Sequence, residues 1–315
     1  MEDYPKTLME FESRFSTEEG CQDYLFQLRW PEGFCCPRCN ETKAWPVRNF
    51  LYECSQCGYQ ASVTAGTIFQ RTHLPLTTWF HAMWWVTSQK NGASALGLQR
   101  VLGCSYKTAW ALLHKLRRAM TRPGRDRLSG RIEVDESYLG GLEEGLRGRR
   151  IERKTLIVIA AQEDGKGIGR IRIKRIPDAS SRSLHSFIRE SIEDGSTIHT
   201  DGWEGYSGLD KIGYHHEITP LRNKSKSASE LLPRVHRVIS LMKRWLMGTH
   251  QGAISHEYLG YYLDEFVFRF NRRKSHYRGK LFYRLIQQAV QIEPTTYHSI
   301  VRHVTGLNYG KHNRS

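Results

Sequence analysis

Seven cysteines stand in this chain, and four of them form two pairs. Cys36 with Cys39 and Cys54 with Cys57 are each C-x2-C, with fourteen residues between the pairs. Thiolates at this spacing suit a tetrahedral zinc ion, each pair forming one knuckle and the hairpin between them closing the site. Cys35 competes with its neighbour for the first position; the C-x2-C register favours Cys36. Four cysteines leave no open coordination position, so the Zn2+ expected here is structural and not catalytic. Gly58 follows the second pair, where a knuckle turn calls for a positive φ. Cys21 and Cys104 read as small buried apolar residues.

The second group of reactive residues is acidic. In RIEVDESYLGG, residues 131–141, the aliphatic residues Ile132, Val134 and Leu139 suggest a strand. Alternation puts Glu133 and Asp135 on one face, with Ile132, Val134 and Glu136 on the other. A carboxylate midway along an apolar strand is costly to bury unless it is paired or holds a metal. The plain alternative is a strand-end Asp feeding a Gly-Gly turn. A further Asp, Asp201, opens the segment DGWEGY. In PRVHRVISLMKRWLMG, residues 233–248, Val235, Ile239, Met242 and Leu246 share one helical face. His236, Ser240 and Lys243 form the stripe beside it. A lone helical histidine is more often structural, but His236 stands where a third metal ligand would be expected. Glu230 is the fallback acid, although Pro233 separates it from the regular helix.

The elements around these residues say how they are positioned. Residues 155–163 read as a buried strand and 168–176 as a half-exposed one. Residues 181–192 read as a helix with Leu184, Phe187, Ile188 and Ile192 inward, and 196–200 as a short strand that delivers Asp201. Three strands, a helix and a strand, with one Asp on the first strand and another after the fourth, is the layout of a ribonuclease-H-like domain. There, neighbouring strands bring two carboxylates together to share divalent metals. Residues 145–154 form a basic loop containing Arg147, Arg149 and Arg150, either solvated or bound to phosphate.

Upstream, residues 3–29 read as helices, with Ser16 or Thr17 as a cap. Residues 67–118 read as helices too, with Phe80, Met83, Trp84 and Thr87 on one face. Residues 92–120 give helix, turn, helix, the second helix capped by Ser105. This is either an ordinary helical hairpin or a DNA-reading pair. In the second case Tyr106, Lys107 and Trp110 lie near the N-terminus of the reading helix, and Lys115, Arg117 and Arg118 add charge. The expected organisation is multi-domain α/β: N-terminal helices over 1–30, a zinc ribbon over 31–66 and a helix-turn-helix-like region over 67–122. A ribonuclease-H-like catalytic domain over 128–292 and a tail over 293–315 complete it. The ribbon and helix pair are expected to fold apart from the catalytic domain.

Lys and Arg number 47 against 32 Asp and Glu, a formal charge of +15, which points to a polyanionic partner. No apolar window reaches the length of a membrane span, and the acidic N-terminus lacks a secretory apolar core. A cytoplasmic, nucleoid-associated protein without a membrane partner is expected. In that reducing compartment cysteines serve metals before disulfides.

The chain resembles the DDE-type insertion-sequence transposases with an N-terminal zinc ribbon, the IS-fifteen-ninety-five family with its ISXO-two-like domain. The resemblance is carried by the zinc knuckles, AGTIF with THLPLTTWF, VDESYLGG, HTDGWEGY, HRVISLMKRWLMGTHQG, and LDEFVFRFNRR followed by LFYRLIQQAV. It implies a metal-dependent DNA transposase with catalytic residues Asp135, Asp201, His236 and Lys243, His236 standing where a carboxylate is commoner. It implies Mg2+ or Mn2+ held by Asp135, Asp201 and His236, and Lys243 on DNA phosphate. Terminal inverted repeats and target DNA are the implied partners, and a homodimer or larger assembly would hold two ends together. The rival functions are a non-catalytic, domesticated DNA-binding protein and a structure-selective nuclease on the same fold.

Overall fold

The computed structural model describes residues 2–47, 51–122, 124–140, 154–219, 228–252 and 254–302. These fall into two compact units, one within Met1–Pro123 and Lys274–His303, the other within Gly124–Arg273.

In the first unit, Thr7 and Thr17 cap α1 (Leu8–Arg14) and α2 (Glu18–Arg29), each hydroxyl accepting a backbone N–H of its helix's first turn. Strands β1 (Ala44–Val47), β2 (Leu51–Cys54) and β3 (Gln60–Ser62) form a small antiparallel sheet. α2 packs on it: the Phe26 ring lies 4.5 Å from that of Tyr52, and Arg29 donates to the carbonyls of Ser62, Val63 and Ala65. Then come α3 (Leu76–Ser88), α4 (Ala95–Leu102) and α5 (Tyr106–Ala119). α3 starts at Pro75 with no side-chain cap of its own. Glu18 supplies one from α2, its carboxylate accepting from Leu76 N (2.9 Å) and Thr77 N (2.8 Å). Between α4 and α5, Gly103 adopts φ 64 and Ser105 caps α5 through Thr108 N at 3.1 Å.

The second unit is built on a five-stranded sheet. β4 (Arg131–Leu139), β5 (Thr155–Asp164) and β6 (Gly167–Arg175) run antiparallel. After α6 (Ser181–Ser191), β7 (Thr197–Thr200) and β8 (His215–Ile218) continue the sheet parallel to β4, in the order β6-β5-β4-β7-β8. This is the ribonuclease-H-like arrangement. β8 is a strand that the sequence pattern did not reveal. The short helix α7 (Ala228–Leu231) leads into α8 (Pro233–His250), and α9 (Leu259–Phe270) comes next.

Alternation on the strands divides the apolar residues between two cores. Ile132, Val134, Val158 and Ile198 face α6, meeting Leu184, Phe187, Ile188 and Ile192. Ile157, Ile159, Ile171 and Ile173 face α8 and α9, meeting Val235, Ile239, Met242, Leu246, Phe266 and Phe270. Two residues just past the end of α9 protect the exposed edge of β6. Asn271 Oδ1 accepts from Ile171 N at 2.7 Å while its Nδ2 donates to Ile171 O at 3.1 Å, and Arg273 donates to Gly169 O and Ile168 O.

The chain then returns to the first unit through α10 (Gly279–Ala289) and α11 (Tyr297–Arg302). The expected catalytic stretch, 128–292, therefore runs past the end of the sheet-bearing unit. Phe282 of α10 sits in an aromatic cluster, its ring centroid 5.4 Å from Phe11, 5.7 Å from Phe15 and 5.8 Å from both Phe80 and Trp84. A fragment ending near Pro123 would lose that side chain, so the expectation that the N-terminal half folds alone is replaced by a unit completed from the C-terminal side. Among the described residues no helix is long and apolar enough to cross a membrane.

Candidate functional sites: a cysteine cluster and a carboxylate cluster

The knuckles close as their spacing requires. Cys36 Sγ lies 3.7 Å from Cys57 Sγ, and Cys39 Sγ lies 3.5 Å from Cys54 and 3.4 Å from Cys57. Four sulfurs about 2.3 Å from a tetrahedral zinc stand roughly 3.8 Å apart, so the cluster is a zinc site. Cys35 is exposed and outside it. Gly58 has φ 64. Cys21 is buried, whereas Cys104 is half-exposed rather than buried.

The second cluster forms midway along β4 and just past the carboxyl end of its parallel neighbour β7. Glu133 of β4 pairs opposite His199 of β7. Two residues further along the chain from each stand Asp135 and Asp201, near enough that the charge of Asp201 acts on Asp135. Asp201 leaves the strand in a tight turn, its Oδ1 accepting from Trp203 N at 2.9 Å. Gly202 is required there twice over: its φ is +82, and a Cβ would come 2.6 Å from Ile218.

Asp135 has a side chain only 14% exposed, with Oδ2 3.5 Å from His236 Nε2. Its Oδ1 accepts from Glu136 N at 2.9 Å. Burial, and then the neighbouring charges of Glu136 and Asp201, push its carboxyl up to about 8. Burial holds His236 below the usual imidazole value, so the ring is neutral at pH 7 and suited to ligation. Lys243 lies seven residues along α8 on the same stripe. Burial lowers its ammonium while Asp135 raises it. Glu136 points to the other face, where it accepts from Tyr206 OH at 2.8 Å. Among the described residues, three or more candidate ligand atoms lie within 4.8 Å of one another only at the four cysteines. Asp135, Asp201 and His236 are more open than that. Glu230 is exposed on α7.

The helix pair holds the remaining sequence candidates. Tyr106, 49% exposed, and Lys107 present the N-terminus of α5 to solvent, the Lys107 ammonium 4.6 Å over the Tyr297 ring of α11. Trp110 packs edge-on against His114 at 4.1 Å. Arg118 is exposed. Lys115 is half-buried, 5.7 Å over Trp79, and burial lowers its ammonium. Arg117 is 2% exposed and sits within the buried face of α5. That corrects its reading as a DNA contact, because a buried guanidinium reaches no phosphate. Arg147, Arg149 and Arg150 lie outside the described residues.

Sequence reasoning gave no role to two residues that join β4 to the start of α8, Glu133 and Arg234. Glu133 is 1% exposed, and its carboxylate accepts from Arg234 N (2.7 Å), Val235 N (2.9 Å) and Arg234 Nη1 (2.9 Å) at the start of α8. The signal was present: an apolar helix opening at Pro233 without a Ser, Thr, Asp or Asn before it needs an acceptor from elsewhere.

Residues 127–271 match the family described as ISXO2-like transposase domain, and residues 16–60 match the transposase zinc-ribbon domain. The first match ends at Asn271, before α10, and the second begins just ahead of α2, which packs on the ribbon. A protein of Halobacterium salinarum described as an uncharacterized protein in transposable element ISH50 is 25% identical over 216 residues, 62% of this chain and 71% of that protein. Among solved structures, the Mos1 strand transfer complex aligns at 12% identity and TM-score 0.28, over 67% of this chain and 75% of that one. The Mos1 mariner paired end complex with Mn aligns at 11% identity and TM-score 0.27, over the same shares.

Proposed function

We propose that this chain is a DDE insertion-sequence transposase with an N-terminal zinc ribbon, as its matches over residues 127–271 and 16–60 support, and that it cuts phosphodiester bonds at the terminal inverted repeats of its element and joins the 3′ ends to target DNA. The observation that supports this reading is the approach of His236 on α8 to within 3.5 Å of the buried Asp135 on β4, whose neighbour strand β7 leads into Asp201. A DNA-binding regulator would have no use for that arrangement.

The donor set fits divalent metal. Two carboxylates and a neutral imidazole face one another loosely, and burial, followed by the charges of Glu136 and Asp201, raises Asp135. Oxygen donors suit Mg2+, and the imidazole is better suited to Mn2+. Asp135 and Asp201 would hold the divalent metals, with His236 as the further ligand. Metal held there would supply activation of water or a 3′-OH and stabilisation of the leaving oxygen. Lys243, two turns along α8 from His236, meets the phosphate beside the site. The ribbon and the α4–α5 pair recognise the repeats, with Tyr106 and Lys107 at the contact and Arg118 adding charge. Two ends are joined in one reaction, so a homodimer or larger assembly acts on double-stranded DNA.

Purified protein incubated with a labelled element-end duplex and Mg2+ or Mn2+ tests the reading. End cleavage followed by strand-transfer products is the expected result, lost in Asp135→Asn and Asp201→Asn. Cleavage without joined products would make the protein a nuclease on this fold, and specific binding without cleavage a regulator.

A further inference from the structure

The start of α8 is held by a residue that touches no reacting group. α8 has Leu232 at its N-cap position, Pro233 in its first turn and no side-chain cap of its own. Its free N–H groups at Arg234 and Val235 both donate to Glu133 Oε2, and the Arg234 guanidinium donates to Oε1. Glu133 lies on the sheet, among the most enclosed side chains of the unit. A carboxylate there is tolerated only because every oxygen is met by a donor. Arg234 extends the hold. It pairs with Glu163 of β5 at 3.1 Å and donates to Gly165 O (2.9 Å) in the turn after β5 and to Gly167 O (3.1 Å) at the start of β6.

The placement of this clamp distinguishes it from an ordinary cap. Glu133 is one alternation before Asp135 on the same strand face, and Arg234 is two residues before His236. The clamp and the 3.5 Å approach of His236 to Asp135 are therefore successive contacts between the same two elements. A Ser or Asp at the N-cap would stabilise the helix equally well and would leave its height above β4 free. A carboxylate borrowed from β4 fixes both.

We propose that Glu133 is a positioning residue: by holding the first turn of α8 on β4 it sets the His236–Asp135 geometry, and with it the affinity of the cluster for divalent metal. This rests on the reading of Asp135, Asp201 and His236 as metal ligands.

The test is Mn2+ binding by calorimetry on the full-length, zinc-loaded protein, beside Mn2+ titrations of end cleavage and thermal melts. Glu133→Gln carries the decision, being isosteric and keeping one acceptor oxygen for the helix N–H groups. Its Mn2+ dissociation constant should rise about tenfold, within the range typical of residues that orient metal ligands. Cleavage should fall at limiting Mn2+ and recover as Mn2+ is raised. Arg234→Met, which leaves the two backbone bonds to Glu133 in place, should show a smaller shift in the same direction. Unchanged Mn2+ affinity in Glu133→Gln, with a lowered melting temperature, would reduce Glu133 to a helix cap and overturn the proposal. Loss that saturating Mn2+ does not recover would overturn it in the other direction, making Glu133 a direct participant. Asp135→Asn and His236→Ala separate ligation from positioning. If both bind Mn2+ as the parent does, the ligand reading fails; if both lose binding while Glu133→Gln keeps it, only the positioning role fails.

Discussion

The cysteine cluster and the carboxylate cluster are built in opposite ways. All four cysteines lie between Cys36 and Cys57, on two knuckles joined by a hairpin, and their sulfurs already stand at tetrahedral separations. Each knuckle holds its pair by local backbone geometry. The carboxylate cluster draws Asp135 from β4, Asp201 from the end of β7 and His236 from α8, and none of these elements fixes another through local sequence. Strand pairing puts the two aspartates on neighbouring strands, and a third residue, Glu133, bonds the start of the helix. The closed cluster carries its own geometry, while the open one borrows its geometry from the fold. An open site is what chemistry on a polymer requires, because the substrate must supply the remaining contacts.

The largest effects should come from Asp135. Asp135→Asn should lower end cleavage by roughly three orders of magnitude or more, with the fold retained in circular dichroism. The same variant should melt a few degrees higher than the parent when catalytic metal is withheld at pH 8. The sign follows from the direction of the shift. The folded protein holds the Asp135 proton up to about pH 8, whereas an unfolded chain releases it near 3.8. The ionised group therefore opposes folding increasingly between pH 4 and 8, and the penalty is full above that. A melting temperature that falls at pH 8 would mean that Asp135 stabilises the apoprotein, and the contrast with the self-sufficient cysteine cluster would break.

Next in size is zinc loss. Cys36→Ser should release the metal, measured by elemental analysis, and destabilise the ribbon. Cys35→Ser should keep a full complement. Retention of zinc in Cys36→Ser would mean that Cys35 slips into the site, and the knuckle would be less rigid than its geometry implies.

An effect on cleavage with less effect on stability is expected at His236. His236→Ala should abolish cleavage while leaving the melting temperature within a few degrees of the parent. His236→Glu should keep part of the activity and shift the preference from Mn2+ towards Mg2+. Wild-type cleavage by folded His236→Ala would remove the residue from the cluster and turn attention to Glu230.

How legible these two regions were in the sequence obeys the same division. The cysteines could be read directly, because zinc imposes a local spacing. Strand alternation around Asp135, the apolar face of α8 and the inward face of α6 were also legible, since each is a short-range periodicity. What escaped depends on partners distant in sequence. The helical pattern around Phe282 does not say that its partners are Phe11, Phe15 and Trp84. Arg117 reads as surface charge until α5 is packed and the residue is found in the core. Glu133 reads as one more acid on a strand until α8 is placed above it. β8 went unread because His215–Ile218 is short and polar, with no alternation to mark it.

The smallest predicted effect sharpens the comparison most, because it isolates the cap from the chemistry. α3 and α8 both open at proline without a cap of their own, and both accept a carboxylate from a distant element: Glu18 for α3, Glu133 for α8. The Thr77 hydroxyl donates to Glu18 as well, at 3.0 Å. The bonding at the two helix starts is alike, but only Glu133 sits one alternation from an aspartate of the cluster. Glu18→Gln should cost about 1 kcal/mol, the usual worth of a helix N-cap, seen as a melting temperature lower by a few degrees. Its Mn2+ affinity and the Mn2+ dependence of cleavage should match the parent. If Glu18→Gln weakens Mn2+ binding as much as Glu133→Gln does, the loss comes from general destabilisation and position relative to the ligands counts for nothing. If Glu18→Gln moves only the melt, a cap at a helix start has no consequence for the metal unless it is made by the strand that carries the ligand.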